Sequence, residues 1–344
     1  YAKSDMNWTY TLPMAISWEL DIFGKTLNAK RSAESALRMQ RDYGQAVRSQ
    51  IITGVATCYY SIATLNAQLE LSRKTAEIWK QNVEVMKDYK EAGRVNQAAV
   101  VQSQAQYWSI LSTITDLESS LEQANSSMSL LLNEMPQTWA IPASAQMEMP
   151  RILREGVAMR ELAMRPDVRA AEESLAVAYY TTNSARAAFY PSITISSNGG
   201  FTNLLGSFVK NPGDWFIQLA GQLTAPLFLR GQNIARLKGA KAQQEQAMNN
   251  FEMALLKAAA EVNDYYVALE KSIEKTAYLT EQVKNLEEAV EATNLLMAYD
   301  GKTTYLEVLT AQSSLLSAQM GLLNTQLNRE QSLINLYQSL GGGR

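Results

Sequence analysis

Residues 251–299 read FEMALLKAAAEVNDYYVALEKSIEKTAYLTEQVKNLEEAVEATNLLMAY, a stretch with neither proline nor glycine. Apolar or small side chains recur here about every 3.5 residues, which is the period of a left-handed coiled coil. This seam consists of Phe251, Leu255, Ala258, Val262, Tyr265, Leu269, Ile273, Thr276, Leu279, Val283, Leu286, Val290, Thr293 and Met297. Several of these residues are Ala or Thr, which let helices approach closely on two sides. The seam therefore favours a helix within a closed ring of helices over a two-stranded coiled coil.

The placement of proline extends this helix and predicts a second one. The eight prolines are at positions 13, 136, 142, 150, 166, 191, 212 and 226, so residues 14–135 and 227–344 contain none. A proline inside a helix costs about 3 kcal/mol, and such long stretches without one indicate very long helices. We expect the first from about Thr26 to Glu91, a length of about 100 Å at 1.5 Å per residue.

Two short glycine segments interrupt the helical pattern, Ala92-Gly93-Arg94 and Asp300-Gly301-Lys302. Glycine after a helix end commonly takes the left-handed conformation that stops the helix. Each break therefore predicts an antiparallel helical hairpin. The return helices are expected from about Asn96 to Asn133 and from about Thr303 to Ser339, and a further helix is expected from Asp167 to Ala188.

The two halves of the chain resemble each other. A shift of 207 positions aligns Gly24 with Gly231, and a shift of 208 aligns Gly93 with Gly301. Two glycine landmarks at nearly the same separation predict an internal two-fold structural repeat.

Three segments are predicted as strands: Trp8–Ile22, Pro191–Phe201 and Trp215–Thr224. Segments near ten residues with aromatic side chains toward their ends fit transmembrane β-strands. The alternative is a small soluble sheet that caps the helices. Because an open sheet edge cannot face lipid, membrane strands would require several chains to share one barrel.

Composition excludes most catalytic classes. The chain has 344 residues, no histidine, the single cysteine Cys58 and a net charge of −3. The lack of histidine excludes Ser-His-Asp and Cys-His catalysis and His-ligated metal sites, so we expect no enzyme, no cofactor and no metal. The sequence has no basic cluster of the kind that binds nucleic acid, so we expect no nucleic-acid partner. No apolar run is long enough for a transmembrane helix, and the polar stretch after Tyr1 is no signal peptide.

Several segments of the chain together match the sequence motifs of one known protein family. They are Ser17–Lys25 (SWELDIFGK), Arg165–Glu172 (RPDVRAAE), Ala185–Ile193 (ARAAFYPSI), Ala225–Phe228 (APLF), and the tip segments Gly93-Arg94-Val95 and Gly301–Gln312. With them, and over nearly its whole length, the chain resembles the bacterial outer-membrane efflux proteins, the TolC-like and OprM-like exit ducts.

The resemblance implies a homotrimer whose long antiparallel helices form an α-barrel in the periplasm. Twelve strands, four from each protomer, would form a β-barrel in the lipid of the outer membrane. The trimer would be the passive exit duct of a tripartite efflux system for drugs or other small molecules. It would receive them from an inner-membrane pump, expected to be of the RND type, through a periplasmic adaptor protein.

The resemblance also implies a helix, a strand, a signal peptide and an acylated cysteine upstream of Tyr1, because the OprM-like branch usually consists of lipoproteins. Cys58 lies inside a predicted helix and is not the lipid attachment site. The implied division of the chain is residues 1–24 and 191–230 as barrel strands, 25–134 and 231–340 as helical hairpins with tips near 92–95 and 300–303, 135–166 as an equatorial segment, 167–190 as a helix of the second repeat, and 341–344 as a tail.

The resemblance suggests three sets of functional residues. The periplasmic gate candidates are Lys302, Tyr305, Glu307 and Thr310. The adaptor-docking tips are Ala92, Gly93 and Arg94 in one hairpin and Asp300, Gly301 and Lys302 in the other. The membrane-interface anchors are Trp8, Tyr10 and Trp215. The simpler alternatives are a solvated glutamate at a helix end, basic residues that complement helix dipoles, and aromatic packing.

Two other classes of protein stay open at this point. A structural coiled-coil scaffold would have no pairs of alternating strands. A periplasmic adaptor would need a β-rich, lipoyl-like region that flanks a single helical hairpin.

Overall fold

The computed structural model describes residues 9–143, 145, 147, 162–204, 214–225, 230–299 and 305–342. Within these ranges the chain is mostly helical. Its elements are, in order, β1 Thr9–Leu20, α1 Lys25–Glu91, α2 Gln97–Leu131, α3 Pro166–Ala187, β2 Ser192–Leu204, β3 Asp214–Thr224, α4 Gln232–Tyr299 and α5 Tyr305–Ser339.

The helices begin and end within one or two residues of the predicted positions. Helices α1 and α4 have 67 and 68 residues, and α2 and α5 have 35 each. None of the helices in the described ranges has a stretch apolar enough to cross a membrane.

The predicted seam of α4 is confirmed, with one exception. Its residues are buried or half-buried from Phe251 to Met297, but Ile273 is 43% exposed. The neighbouring Ser272 is buried in its place, and its hydroxyl donates a hydrogen bond of 2.8 Å to the carbonyl of Leu269. A small serine whose hydroxyl bonds to its own helix lets the neighbouring helix approach α4 closely, whereas the branched isoleucine stays exposed to solvent.

Both long helices begin after a glycine with a left-handed backbone. Gly24 has φ +70° and Gly231 has φ +76°. The carbonyl of Gly24 accepts from the Asn28 amide at 2.9 Å, and that of Gly231 accepts from the Ala235 amide at 2.9 Å. The same local geometry therefore starts α1 and α4.

The described residues form two compact units. The first comprises Tyr1–Tyr43 and Asp167–Ala254, and the second comprises Gly44–Pro166 and Leu255–Arg344. The first unit thus holds the strands, α3 and the first turns of α1 and α4, whereas the second holds α2, α5 and the rest of the two long helices.

In the first unit, α3 packs against both long helices. Arg38 of α1 donates to both carboxylate oxygens of Glu173, at 2.6 and 3.1 Å, and this hydrogen bonding lowers the pKa of Glu173. On the other side, the Thr182 hydroxyl donates to the carbonyl of Ala240 at 3.1 Å. The buried side chains at these contacts are small, among them Ser35, Ala170, Ala185 and Ala240. Small residues thus give α3 two close neighbours.

The three strands of the first unit form an antiparallel sheet in the order β1-β2-β3. Large apolar side chains point to one face and are strongly exposed: Met14, Ile16, Trp18, Ile217, Leu219 and Leu223. The opposite face carries small and polar side chains, among them Ser17, Glu19, Thr194, Ser196, Asn198, Gln218 and Gln222. This alternation agrees with the period of two residues in a strand whose faces meet different surroundings.

In the second unit, α1 packs against α2 and α5, and α4 packs against α5. One apolar cluster of this unit is formed by Leu69, Ala76, Trp79, Ile110, Ile114 and Leu309. Another joins α4 to α5 through Val262, Leu269 and Leu336. Amide side chains also cross between α1 and α5: Gln68 donates to Asn324, and Asn82 donates to Gln312, both at 2.9 Å.

Candidate gate and docking region

The turn between α1 and α2 is closed by backbone hydrogen bonds that glycine makes possible. Gly93 has φ +71°, its amide donates to the carbonyl of Lys90 at 3.0 Å, and the Arg94 amide donates to that of Tyr89 at 2.8 Å. This is the Schellman pattern of a helix end. A Cβ atom at Gly93 would meet nothing within 4 Å, so the backbone conformation alone demands glycine here.

This turn presents an exposed surface that is capped on both sides. Ala92, Gly93 and Arg94 are all exposed, and the Arg94 guanidinium lies 5.8 Å from the centre of the Tyr89 ring. The next helix starts at once, because the Asn96 side chain accepts a hydrogen bond of 3.1 Å from the Ala99 amide. Capping on both sides leaves few free dihedral angles in the connection.

The second tip is described only at its flanks. Helix α4 ends at Tyr299 and α5 begins at Tyr305, whereas Asp300, Gly301 and Lys302 lie outside the described residues.

Tyr305 connects the first turn of α5 to α2. Its hydroxyl lies 2.8 Å from the hydroxyl of Ser103, a fully buried residue. Because Ser103 donates its only proton to the carbonyl of Ala99 at 2.9 Å, Tyr305 is the donor in the bond between the two side chains. Burial raises the pKa of the Tyr305 phenol, which therefore keeps the proton that it donates.

The Tyr305 ring also packs against the apolar cluster that contains Trp79 and Leu309. Trp79 of α1 is only 1% exposed. The start of α5 is thus held to α1 by apolar contacts and to α2 by one hydrogen bond.

Glu307 and Thr310 lie on a different face of α5 from Tyr305. Both are exposed, whereas Val308 and Leu309 are buried against the neighbouring helices. The Thr310 hydroxyl donates to the carbonyl of Leu306 at 2.8 Å. Glu307 is an acid in the first helical turn, where the helix dipole stabilises it. The structure therefore brings Glu307 and Thr310 together on one exposed face and places Tyr305 in the packed interface.

Sequence reasoning missed two residues that pack at the start of α5, Ser103 and Trp79. Both lie at positions where α1 and α2 face α5, and a seam drawn along α2 is the signal that would have indicated Ser103.

Of the predicted membrane-interface anchors, Trp8 lies outside the described residues. Tyr10 is in β1 and pairs with Asn203 of β2, and Trp215 is in β3 and pairs with Phe201. Both pairs lie at the end of the sheet that is farther from the starts of α1 and α4.

Comparison with known proteins gives one consistent family. The model of the outer membrane efflux protein family matches residues 3–134 and 157–342. SilC of Salmonella typhimurium, described as a probable outer membrane lipoprotein, is 28% identical over 340 residues, which are 97% of this chain and 72% of SilC. CusC of Escherichia coli K12, a cation efflux system protein, is 27% identical over 332 residues, which are 95% of this chain and 72% of CusC.

Solved structures agree with the sequence comparison. The crystal structure of the outer membrane protein VceC from Vibrio cholerae has a TM-score of 0.86 at 25% identity and covers 98% of this chain and 80% of VceC. A crystal structure of CusC also has a TM-score of 0.86, at 26% identity, and covers 97% of this chain and 78% of CusC. The family model matches most of the chain and the fold agrees with solved members, so the chain belongs to the outer membrane efflux protein family.

Proposed function

We propose that this chain is the outer-membrane exit duct of a tripartite efflux system and conducts small molecules passively from the periplasm to the exterior. As a member of its family it is an outer-membrane channel protein that extends into the periplasm, and it is not an enzyme. The observation that carries the proposal is the sheet, which has one exposed apolar face and one polar face and is joined directly to two long helices.

The two faces of the sheet suit lipid on one side and water on the other. A membrane strand presents apolar side chains to the hydrocarbon and polar ones to the lumen. Because β1 and β3 are both edge strands within the described residues, a closed barrel needs further strands. A homotrimer with four strands from each chain supplies twelve, and residues 1–24 and 191–230 are the barrel segments that we propose.

The internal repeat is supported by matching helix ends. Gly24 and Gly231 start α1 and α4 with the same backbone, and the left-handed residues Asn133 and Gly341 end α2 and α5. The residue pairs are separated by 207 and 208 positions, the two shifts found in the sequence. We propose that residues 25–134 and 231–340 are equivalent hairpins of an α-barrel, with 135–166 as an equatorial segment.

The partners follow from this assignment. CusC is named as part of a cation efflux system and SrpC of Pseudomonas putida as part of a solvent efflux pump. By analogy, this chain receives its solutes from an inner-membrane pump of the RND type through a periplasmic adaptor. The exposed, capped turn at Ala92, Gly93 and Arg94 is one docking surface, and Asp300–Lys302 is its counterpart in the other hairpin.

The two alternative classes fit less well. A coiled-coil scaffold does not require the three paired strands, and an adaptor has one helical hairpin where this chain has two.

The gate is proposed at the first turns of α5, where three copies would place three Glu307 carboxylates around the axis. Lys302 and Thr310 would complete this constriction. A ring of carboxylates attracts cations and repels anions.

Glu307→Ala is expected to lower the preference of the reconstituted channel for K⁺ over Cl⁻ by about threefold, because the carboxylate ring is lost. The measurement is the reversal potential of single channels in a planar bilayer under a KCl gradient. Glu307→Asp keeps the charge and should keep the preference. Unchanged conductance and unchanged preference in Glu307→Ala would remove Glu307 from the gate, and a purified chain that forms no channels would contradict the proposed function itself.

Tyr305→Phe is expected to raise the open probability of the channel by about fivefold for each subunit. The hydrogen bond to Ser103 contributes about 1 kcal/mol, and its loss frees the start of α5 from α2. Ser103→Ala should have a similar effect, and the double variant should add little to either. Tyr43→Phe removes the same atom from an exposed side chain and serves as the control. An additive double variant would show that the two hydroxyls do not act as a pair.

A further inference from the structure

The described side chains of the polar face of the sheet carry almost no charge. The register sets its side chains in cross-strand rows, of which one is Ser17, Ser196 and Ala220 and another is Ala15, Asn198 and Gln218. These groups are hydroxyls, amides and methyls. Among the described side chains of this face, the only ionisable one is Glu19, in the row with Thr194 and Gln222.

Glu19 lies at the end of β1 that leads into α1, and it faces a partner of opposite charge. Its Oε1 is 3.6 Å from Nζ of Lys25, the first residue of α1, and both side chains are about half exposed. The nearby carboxylate of Asp21 is already engaged, because it accepts from the Thr26 and Leu27 amides at 2.9 and 2.6 Å. Asp21 thus caps the helix, where the backbone amides and the helix dipole stabilise its charge, and Lys25 forms its ion pair with Glu19.

This ion pair is dispensable for the fold. Exposed pairs at such distances stabilise proteins by only about 0–1 kcal/mol, and the start of α1 is already capped by Asp21. A structural need therefore does not explain why a carboxylate stands beside a lysine among the uncharged described side chains of this face.

We infer that Lys25 cancels the charge of the Glu19 carboxylate at the helix-side mouth of the strand section, so that this section admits anionic, cationic and neutral solutes alike. The inference rests on the proposed function, in which the polar face lines the pore and three copies set three such pairs around one opening. The described side chains of the wall beyond them are uncharged, mainly hydroxyls, amides and methyls. Selection by charge is then left to other levels of the duct, such as the Glu307 turn.

The physical reason is the effect of fixed charge in a narrow aqueous passage. A ring of three unpaired carboxylates concentrates cations and excludes anions, and a ring of three ammonium groups does the reverse. Pairing each carboxylate with a lysine within 4 Å cancels both effects beyond a distance of about one Debye length, which is ~10 Å at 0.1 M salt.

The test uses the full chain in planar bilayers with the reversal potential under a KCl gradient as readout. Lys25→Gln leaves the carboxylates unpaired and should shift the permeability ratio toward K⁺ by about threefold or more. Glu19→Gln should shift it toward Cl⁻ by a similar factor. The neutral pair Glu19→Gln with Lys25→Gln, and the exchanged pair Glu19→Lys with Lys25→Glu, should both return the ratio to that of the unaltered chain.

Thr194→Lys provides an independent arm, because it adds a positive charge to the row of Glu19 without touching the pair. It should shift the ratio toward Cl⁻. The inference is overturned when the variants form channels with the ratio of the unaltered chain, or when Lys25→Gln and Glu19→Gln shift it in the same direction. If the folded, unaltered chain forms no channels, the proposed function fails instead.

Discussion

Replacing Trp79 with alanine is expected to lower the free energy of unfolding by about 3–5 kcal/mol, which is the cost of deleting a large, fully buried aromatic side chain. Trp79 is 1% exposed and forms one cluster with Leu69, Ile110 and Leu309, so the cavity would open where α1, α2 and α5 meet. The measurement is denaturant unfolding of the detergent-solubilised protein, followed by circular dichroism.

The same substitution should also loosen the proposed gate, because Tyr305 packs against the cluster that Trp79 fills. We expect Trp79→Ala to increase the open probability of the channel at least as much as Tyr305→Phe does. Trp79→Phe should lose less stability than Trp79→Ala, since the indole N–H has no hydrogen-bond partner among the described residues and its removal leaves no group unpaired.

Lys80→Ala is the matched control, because Lys80 is the next residue of the same helix and its side chain is 61% exposed. Lys80→Ala should change the free energy of unfolding by no more than about 0.5 kcal/mol. Equal losses for Lys80→Ala and Trp79→Ala would show that the cluster does not hold α5 to α1.

Arg165→Met is expected to lower the free energy of unfolding by about 3 kcal/mol, because it breaks a buried charged interaction and removes the donor to the Ser339 carbonyl. Arg165 is only 6% exposed. Its guanidinium donates to the Glu261 carboxylate at 2.7 Å and to the carbonyl of Ser339 at 3.0 Å. One side chain thus joins α4 to the last turn of α5, where carbonyl groups lack partners inside the helix.

Arg73→Met makes the same chemical change at an exposed pair, since Arg73 lies 2.7 Å from Glu118 and its side chain is 61% exposed. Exposed pairs contribute about 0–1 kcal/mol, so this variant should unfold close to the unaltered chain. Thermal unfolding of both variants in the same detergent gives the comparison. Arg165 would be an ordinary surface residue if the two values of Tm fell by the same amount.

The sequence alone predicted the helices and their ends closely. Proline is absent from the two long stretches, and glycine stops α1 at Gly93 through a left-handed backbone that other residues rarely adopt. These are local effects, which depend on neighbours along the chain. The strands were predicted in the same way, because alternation of apolar and polar side chains is also local, and the observed sheet has the three expected strands.

The seam of α4 shows where local prediction ends. Its period was visible in the sequence, but the choice between Ser272 and Ile273 as the buried residue was not. That choice depends on how closely the neighbouring helix approaches. Hydrophobicity favoured burial of Ile273, whereas the narrow space between the helices favoured burial of the smaller Ser272.

At the proposed gate, too, the sequence predicted one part and the tertiary structure decided the other. The sequence and its family resemblance placed Tyr305, Glu307 and Thr310 on one short segment, and they gave no means of separating their roles. The tertiary structure set the rotation of α5 against α1 and α2, which buried Tyr305 between Ser103 and Trp79 and left Glu307 and Thr310 exposed. Partners such as Ser103, 202 positions away, are chosen by packing between helices, and helical period alone does not specify which faces meet.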